Sequence, residues 1–382
     1  MEVTTFRPEV WNVSSVGGGG GNWSCEPAPT LTQASWVRAW VLSAMAALSL
    51  LGNAATIASI RRRHWAAAPG SSRHQPSAVY ALILHLSAAD LLVTVFCIAG
   101  EAAWSYAVQW LAGNAACKLF KFAQVFSLYL STFILVLIGI DRFVAVRYPM
   151  RALGAANRLG RLVSAAWGLS ALLSLPQNNR GQQLMFSEHK EVSRKMYHSC
   201  HLLLQIAIFH VERGPFCELF LQCVTYGFYT EPWQEQLYAA FSLMCMFVLP
   251  LAILIGTYVS TFITISRSER AFRLEAERGS KGGGGGGGGD AAGDNRRRLI
   301  RRAKATSVRI SLLIVAAFVV CWTPYYTMMI IFLFLNPDKH LSEDLQSGIF
   351  FFGMSNSLVN PIIYGAFHLW RPRRKSRSEY RR

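Results

Sequence analysis

The sequence predicts an all-α membrane protein, a bundle of seven transmembrane helices with a short amphipathic helix after the seventh. Three observations carry this. Charged residues make up 15% of the chain and hydrophobic ones 52%, a balance well off that of soluble domains. Seven apolar segments, near 37–60, 78–104, 115–142, 158–177, 233–265, 305–335 and 344–367, are each long enough for a tilted spanning helix. The third continues into an almost unbroken stretch from Cys117 to Arg147, apolar between a cysteine and an Asp-Arg pair. At about 1.5 Å per residue, the distance from Cys117 to Arg142 is roughly 37 Å, close to a bilayer with its headgroups. A single helix buried in a soluble protein would not have six such companions.

Seven spans put the two termini on opposite sides, and basic residues in short loops choose the sides. Arg61, Arg62, Arg63 and Arg73 follow the first span; Arg147, Arg151, Arg158 and Arg161 follow the third; the 266–304 loop and the tail are richer still. The N-terminus is therefore expected outside. The net charge of +17 is then a cytoplasmic surplus facing anionic lipid. Nucleic acid is not an expected partner, because membrane spans divide the basic residues among separate loops. The start, MEVTTFRPEVW, lacks an apolar signal-peptide core, so the first span is expected to direct its own insertion.

Residues 1–36 are polar, carry five glycines from Gly17 to Gly21, and read as a disordered extracellular tail. Sequons at Asn12 and Asn22 fit glycosylation on that side. Residues 37–371 hold the bundle and 372–382 a basic cytoplasmic tail. Within 266–304 an eight-glycine run, Gly282 to Gly289, is a linker between basic flanks that extend the fifth and sixth spans. No GKS or GKT accompanies it, which excludes a phosphate-binding loop. After the seventh span, Phe367 and Trp370 lie three apart beside arginines, the spacing of a short interfacial helix limited by Pro372.

Asp90 falls inside the second span. A carboxylate at mid-membrane costs about 2.5–3.5 kcal/mol on insertion scales, so it is expected to face a polar interior. Asn53, Ser131, Asn356 and Asn360 are its candidate partners. Such oxygen-bearing groups suit a sodium ion; a purely structural hydrogen-bond network would use the same residues. Pro250 and Pro324 bend the fifth and sixth spans, making a pocket above and a lever below.

Asn53, Asp90, Asp141-Arg142-Phe143, Trp167, Pro250, Cys321-Trp322-Thr323-Pro324 and Asn360-Pro361-Ile362-Ile363-Tyr364 occur one set per helix, in order. Over about 37–371 the chain resembles a rhodopsin-class G protein-coupled receptor. The wording DLLVT, AVQWLAGNAACK, FHVERGPF, QCVTYGFY, CWTPYY and NPIIYGAFHL resembles receptors for gonadotropin-releasing hormone, adipokinetic hormone and corazonin. FLNPDKHLSEDLQSGIFFFGMSNSLVNP and YGFYTEPWQEQLYA are most similar to the corazonin receptors of arthropods. Such receptors pass almost directly from LPQ to FHVERG, so residues 178–205 look inserted, through a retained intron or gene-model error or as a genuine loop.

The resemblance implies a plasma-membrane receptor for a peptide hormone, coupled to a calcium-mobilising G protein of the q class. It implies a bridge between Cys117 and Cys223, with Cys217 and Cys200 as competitors; Cys97, Cys245 and Cys321 fall inside spans and read as packing residues. Glu101, Lys121 and Gln124 would face the ligand, Glu101 by pairing with a cationic peptide side chain. Phe228, Tyr229, Trp322, Tyr325 and Tyr326 would supply aromatic surface. Asp141 would hold Arg142 at rest; Tyr258 and Tyr364 would hold the open state; Trp322, Pro324, Asn360 and Pro361 would form the switch. No cofactor is expected beyond the sodium ion. A retinal protein needs a lysine in the seventh span, and none occurs there. An enzyme or transporter would need paired ionisable groups or a zinc or nucleophile signature, which the spans lack.

Overall fold

The computed structural model describes residues 27–65, 78–148, 156–175, 209–225, 232–281, 312–331 and 343–365. These form seven helical rods and one hairpin. Helix α1 is Gln33–Trp65, begun by Thr32, whose Oγ1 accepts the Ser35 amide at 3.1 Å and satisfies a free helix-end donor. Helix α2 runs Ala78–Val93, a π-helical turn Thr94–Ala99, then Gly100–Ala107. Helix α3 is Gly113–Arg147 and α4 is Ala156–Ser174. Strands β1, His210–Arg213, and β2, Leu221–Val224, pair antiparallel with Val211 opposite Cys223. Helix α5 joins Pro232–Leu243, a π turn Met244–Val248, and Leu249–Lys281. Helix α6 covers Leu312–Ile331, and α7 is Glu343–Met354 followed by Asn356–Tyr364.

By length and composition, five helices among the described residues could cross a membrane: Gln33–Arg62, Ala78–Ala107, Gly113–Arg147, Gln236–Arg267 and Leu312–Ile331. Large apolar side chains such as Trp40, Leu51, Leu172 and Phe262 point outward, as lipid-facing ones would. Helix α4 is shorter and carries Arg158 and Arg161 near its start; α7 is broken at Ser355.

Helix α3 is the axis, packed against α2, α4 and α5, while α1 packs on α2 and α7. Small residues set the closest approaches: a Cβ on Gly139 would lie 2.8 Å from Leu254 of α5, and one on Gly52 would lie 3.2 Å from Pro361 of α7. The proline expected to bend α5, Pro250, sits just past its π turn. The π turn in α2 has no proline. There the Thr94 hydroxyl donates to the Asp90 carbonyl at 2.6 Å, one way a side chain intrudes on the helical ladder.

The sequons Asn12 and Asn22, Phe228, Tyr229, the 178–205 segment, the poly-glycine run and the tail after residue 365 lie outside the described residues.

Candidate functional site

Functional side chains occupy three levels along α3. At one end, Cys117 is bonded to Cys223 of β2 across 106 positions, with Cα atoms 5.7 Å apart. Cys217 is disulfide-bonded elsewhere and does not compete; Cys97, Cys245 and Cys321 are free, as expected of packing residues. The bridge lays the hairpin over the N-terminal turns of α3, where Trp110, Cys117, Phe209 and Cys223 form a small apolar cluster.

Just inward, Glu101, Lys121 and Gln124 form one buried polar group. Lys121 Nζ lies 3.8 Å from Glu101 Oε1, both side chains 6% exposed. Gln124 Nε2 donates to the same oxygen at 2.8 Å and to the Phe96 carbonyl at 3.1 Å. The π turn carries Glu101 to this position. Aromatic faces close over the ammonium, Trp104 at 4.5 Å and Phe209 at 5.3 Å from their ring centroids. The carboxylate expected to meet a cation from the ligand thus already has one from α3.

On α6, Trp322, Tyr325 and Tyr326 are buried in a ring-on-ring array. Phe247 of α5 stacks on Tyr326 with centroids 4.9 Å apart, and Phe350 of α7 lies 5.4 Å from Tyr325. Trp322 packs against Gly353 of α7.

The middle level surrounds Asp90, which is fully buried. Ser131 and Ser357 donate to its Oδ1 at 2.8 and 2.9 Å, and Asn360 Nδ2 donates to Oδ2 at 2.9 Å. Asn53 donates to the Ser49 carbonyl at 3.0 Å and the Ser357 carbonyl at 3.1 Å, tying α1 to α7. Ser49 and Thr94 hydroxyls meet at 2.7 Å. Asn356 is buried, next in the chain to Ser357. The amide oxygens of Asn53, Asn356 and Asn360 have no hydrogen-bond partner among the described residues.

At the other end of α3, Arg142 Nε donates to Asp141 Oδ2 at 3.1 Å and its Nη2 reaches the same oxygen. Both side chains are about one-fifth exposed, at 22% and 18%. Tyr258 joins Val136, Leu254 and Val315 in an apolar cluster linking α3, α5 and α6. Pro324 lies within α6 and Pro361 within α7; the Tyr364 side chain lies outside the described ones.

Sequence reasoning missed Ser357, Ser49, Thr94, Trp104, Phe209 and Gln222. Ser357 had a signal, being one turn before Asn360; Gln222 had only its place beside Cys223.

A staple at one end of α3, the buried Asp90 carboxylate of α2 bonded to Ser131 near its middle, and an Asp-Arg pair at its other end define a membrane receptor bundle. Residues 66–364 match the model of the 7 transmembrane receptor (rhodopsin family). The chain belongs to that family: a multi-pass plasma-membrane receptor, not an enzyme. Within it, the chain is 34% identical over 337 residues to the gonadotropin-releasing hormone receptor of Octopus vulgaris, covering 87% of this chain and 71% of that protein. It is 34% identical over 369 residues to the gonadotropin-releasing hormone II receptor of Callithrix jacchus, covering 96% and 83%. This places it in the group related to gonadotropin-releasing hormone receptors.

Proposed function

We propose that the protein is the receptor for a neuropeptide hormone, corazonin, with its N-terminus outside and glycosylated at Asn12 and Asn22. On this reading the peptide activates a calcium-mobilising heterotrimeric G protein of the q class. The observation that carries it is the charge balance of the buried group between α2 and α3, where Glu101 and Lys121 neutralise each other, while Trp322, Tyr325 and Tyr326 of α6 supply aromatic surface. Such a site asks for hydrogen bonding and aromatic burial rather than a charged terminus, the chemistry of a peptide blocked at both ends. The names of the relatives support a hormone of that kind, and the wording of residues 226–239 and 334–361 supports corazonin among them.

Activation is a shift between two packings of the bundle, biased by peptide at the outer level and read at Arg142 once Asp141 releases it. Tyr258 and Tyr364 would hold the open form. A sodium ion at Asp90, with Ser131, Asn356 and Asn360, would favour the resting form. The unpaired amide oxygens of Asn356 and Asn360 are the donor chemistry such an ion takes.

Calcium release in cells expressing the full chain tests the reading. Corazonin should act at lower concentration than adipokinetic hormone or gonadotropin-releasing hormone, and a q-class inhibitor should abolish the response. A stronger response to adipokinetic hormone would move the assignment to that runner-up; silence to all three would reject the peptide reading.

A further inference from the structure

We propose that Gln222 is a positioning residue of the pocket: its side-chain amide ties β2 to the outer end of α2 and so holds the Trp104 indole over the Lys121 ammonium. The role assigned to the pocket rests on the peptide reading, but the geometry stands without it. Gln222 Oε1 accepts the Trp104 Nε1 hydrogen at 3.1 Å, across 118 positions of sequence, and Gln222 Nε2 donates to the Val108 carbonyl at 2.7 Å. Using both ends of one amide fixes its orientation, because a flipped amide would set N–H against N–H and oxygen against oxygen.

Two further features make this a latch rather than an incidental contact. Val108 has φ +62° and ψ −32°, a backbone region that a β-branched residue seldom adopts, and both its amide and its carbonyl are held: by Trp104 O at 2.9 Å and by Gln222. The next residue after Gln222, Cys223, is bonded to Cys117, one helical turn from Lys121. Gln222 thus joins the stapled strand to the side chain that caps the buried cation. A ligand that displaces β2 would draw the indole from Lys121 and expose its donors.

The test needs no ligand. Full-length wild type and variants in detergent are treated with an amine-reactive reagent, and labelling of Lys121 is read by mass spectrometry against Lys118, half-buried in the same helical turn. Q222L should raise the Lys121 to Lys118 ratio by roughly three- to tenfold, the range implied by losing one indole–ammonium contact. W104F keeps a ring but no donor, leaves the strand untouched, and should raise it too. The double variant Q222L/W104F should rise no further than the larger single effect, since the two act through one contact. General loosening would also move the ratio towards one and is recognised by a lowered thermal unfolding midpoint. Labelling is therefore read where wild type and variants are equally folded, and there a variant without the proposed role leaves the ratio at the wild-type value. That result, or additive effects of the two substitutions, would overturn the proposal. A wild type silent to every peptide fails the peptide reading alone, because the ratio is decided without one.

Discussion

Gly353 of α7 presents its bare Cα to the Trp322 indole: a Cβ there would sit 3.1 Å from two ring carbons. Gly348, just over a turn earlier, meets nothing within 4 Å. The pair separates backbone propensity from packing. G348A should stabilise by about 0.5–1 kcal/mol, the cost of a glycine within a helix. G353A should gain the same but lose about 1–3 kcal/mol to overpacking, for a net loss. Thermal unfolding of the two variants checks the opposite signs, and a raised basal signal in G353A alone would tie Trp322 to the switch.

Glu101 and Lys121 form a buried ion pair, so removing one charge strands the other. E101Q should cost about 3–5 kcal/mol, seen as low surface expression. E101Q/K121M removes both charges and should recover most of that loss. If the double variant is as poorly expressed as E101Q, the pair is not what Glu101 stabilises.

Ser357 supplies one of the three donors to Asp90. S357A should destabilise by about 1–3 kcal/mol, because a buried carboxylate loses one of its hydrogen-bond donors. D90N, measured by agonist affinity in sodium and in choline salts, tests the ion. Sodium should weaken agonist binding to the wild type and leave D90N unaffected.

C117S and C223S should each cost about 2–5 kcal/mol and give the same phenotype as the double variant, since either change opens the one bridge. Non-reducing peptide mapping should still find Cys217 in a disulfide in all three.

Much of the bundle was legible because five of its rods are apolar runs of spanning length, and Asp90, Arg142 and Cys117 stand out against them. The π turns were not. Thr94–Ala99 carries no proline or glycine, and its only mark is a threonine whose hydroxyl reaches back four residues. Polar pairs on different rods were equally hidden: Asn53 and Ser357 are 304 positions apart, and nothing local in either helix specifies the other. The family resemblance implied a ligand-facing place for Glu101, but its counter-charge depends on the angle at which α2 faces α3. Trp104 and Gln222 lacked any signal stronger than their neighbours', because their roles come from tertiary geometry.

The wider turn in α2 also divides that rod into two independently phased halves. Each α-helical residue rotates the chain by about 100°, so excising one residue between Thr94 and Ala99 would swing Glu101 around the rod's axis while Asp90 kept its bearing. A one-residue gain or loss in this turn would therefore re-aim the half that carries Glu101, while the hydrogen bonds of Ser131, Ser357 and Asn360 to Asp90 kept their register.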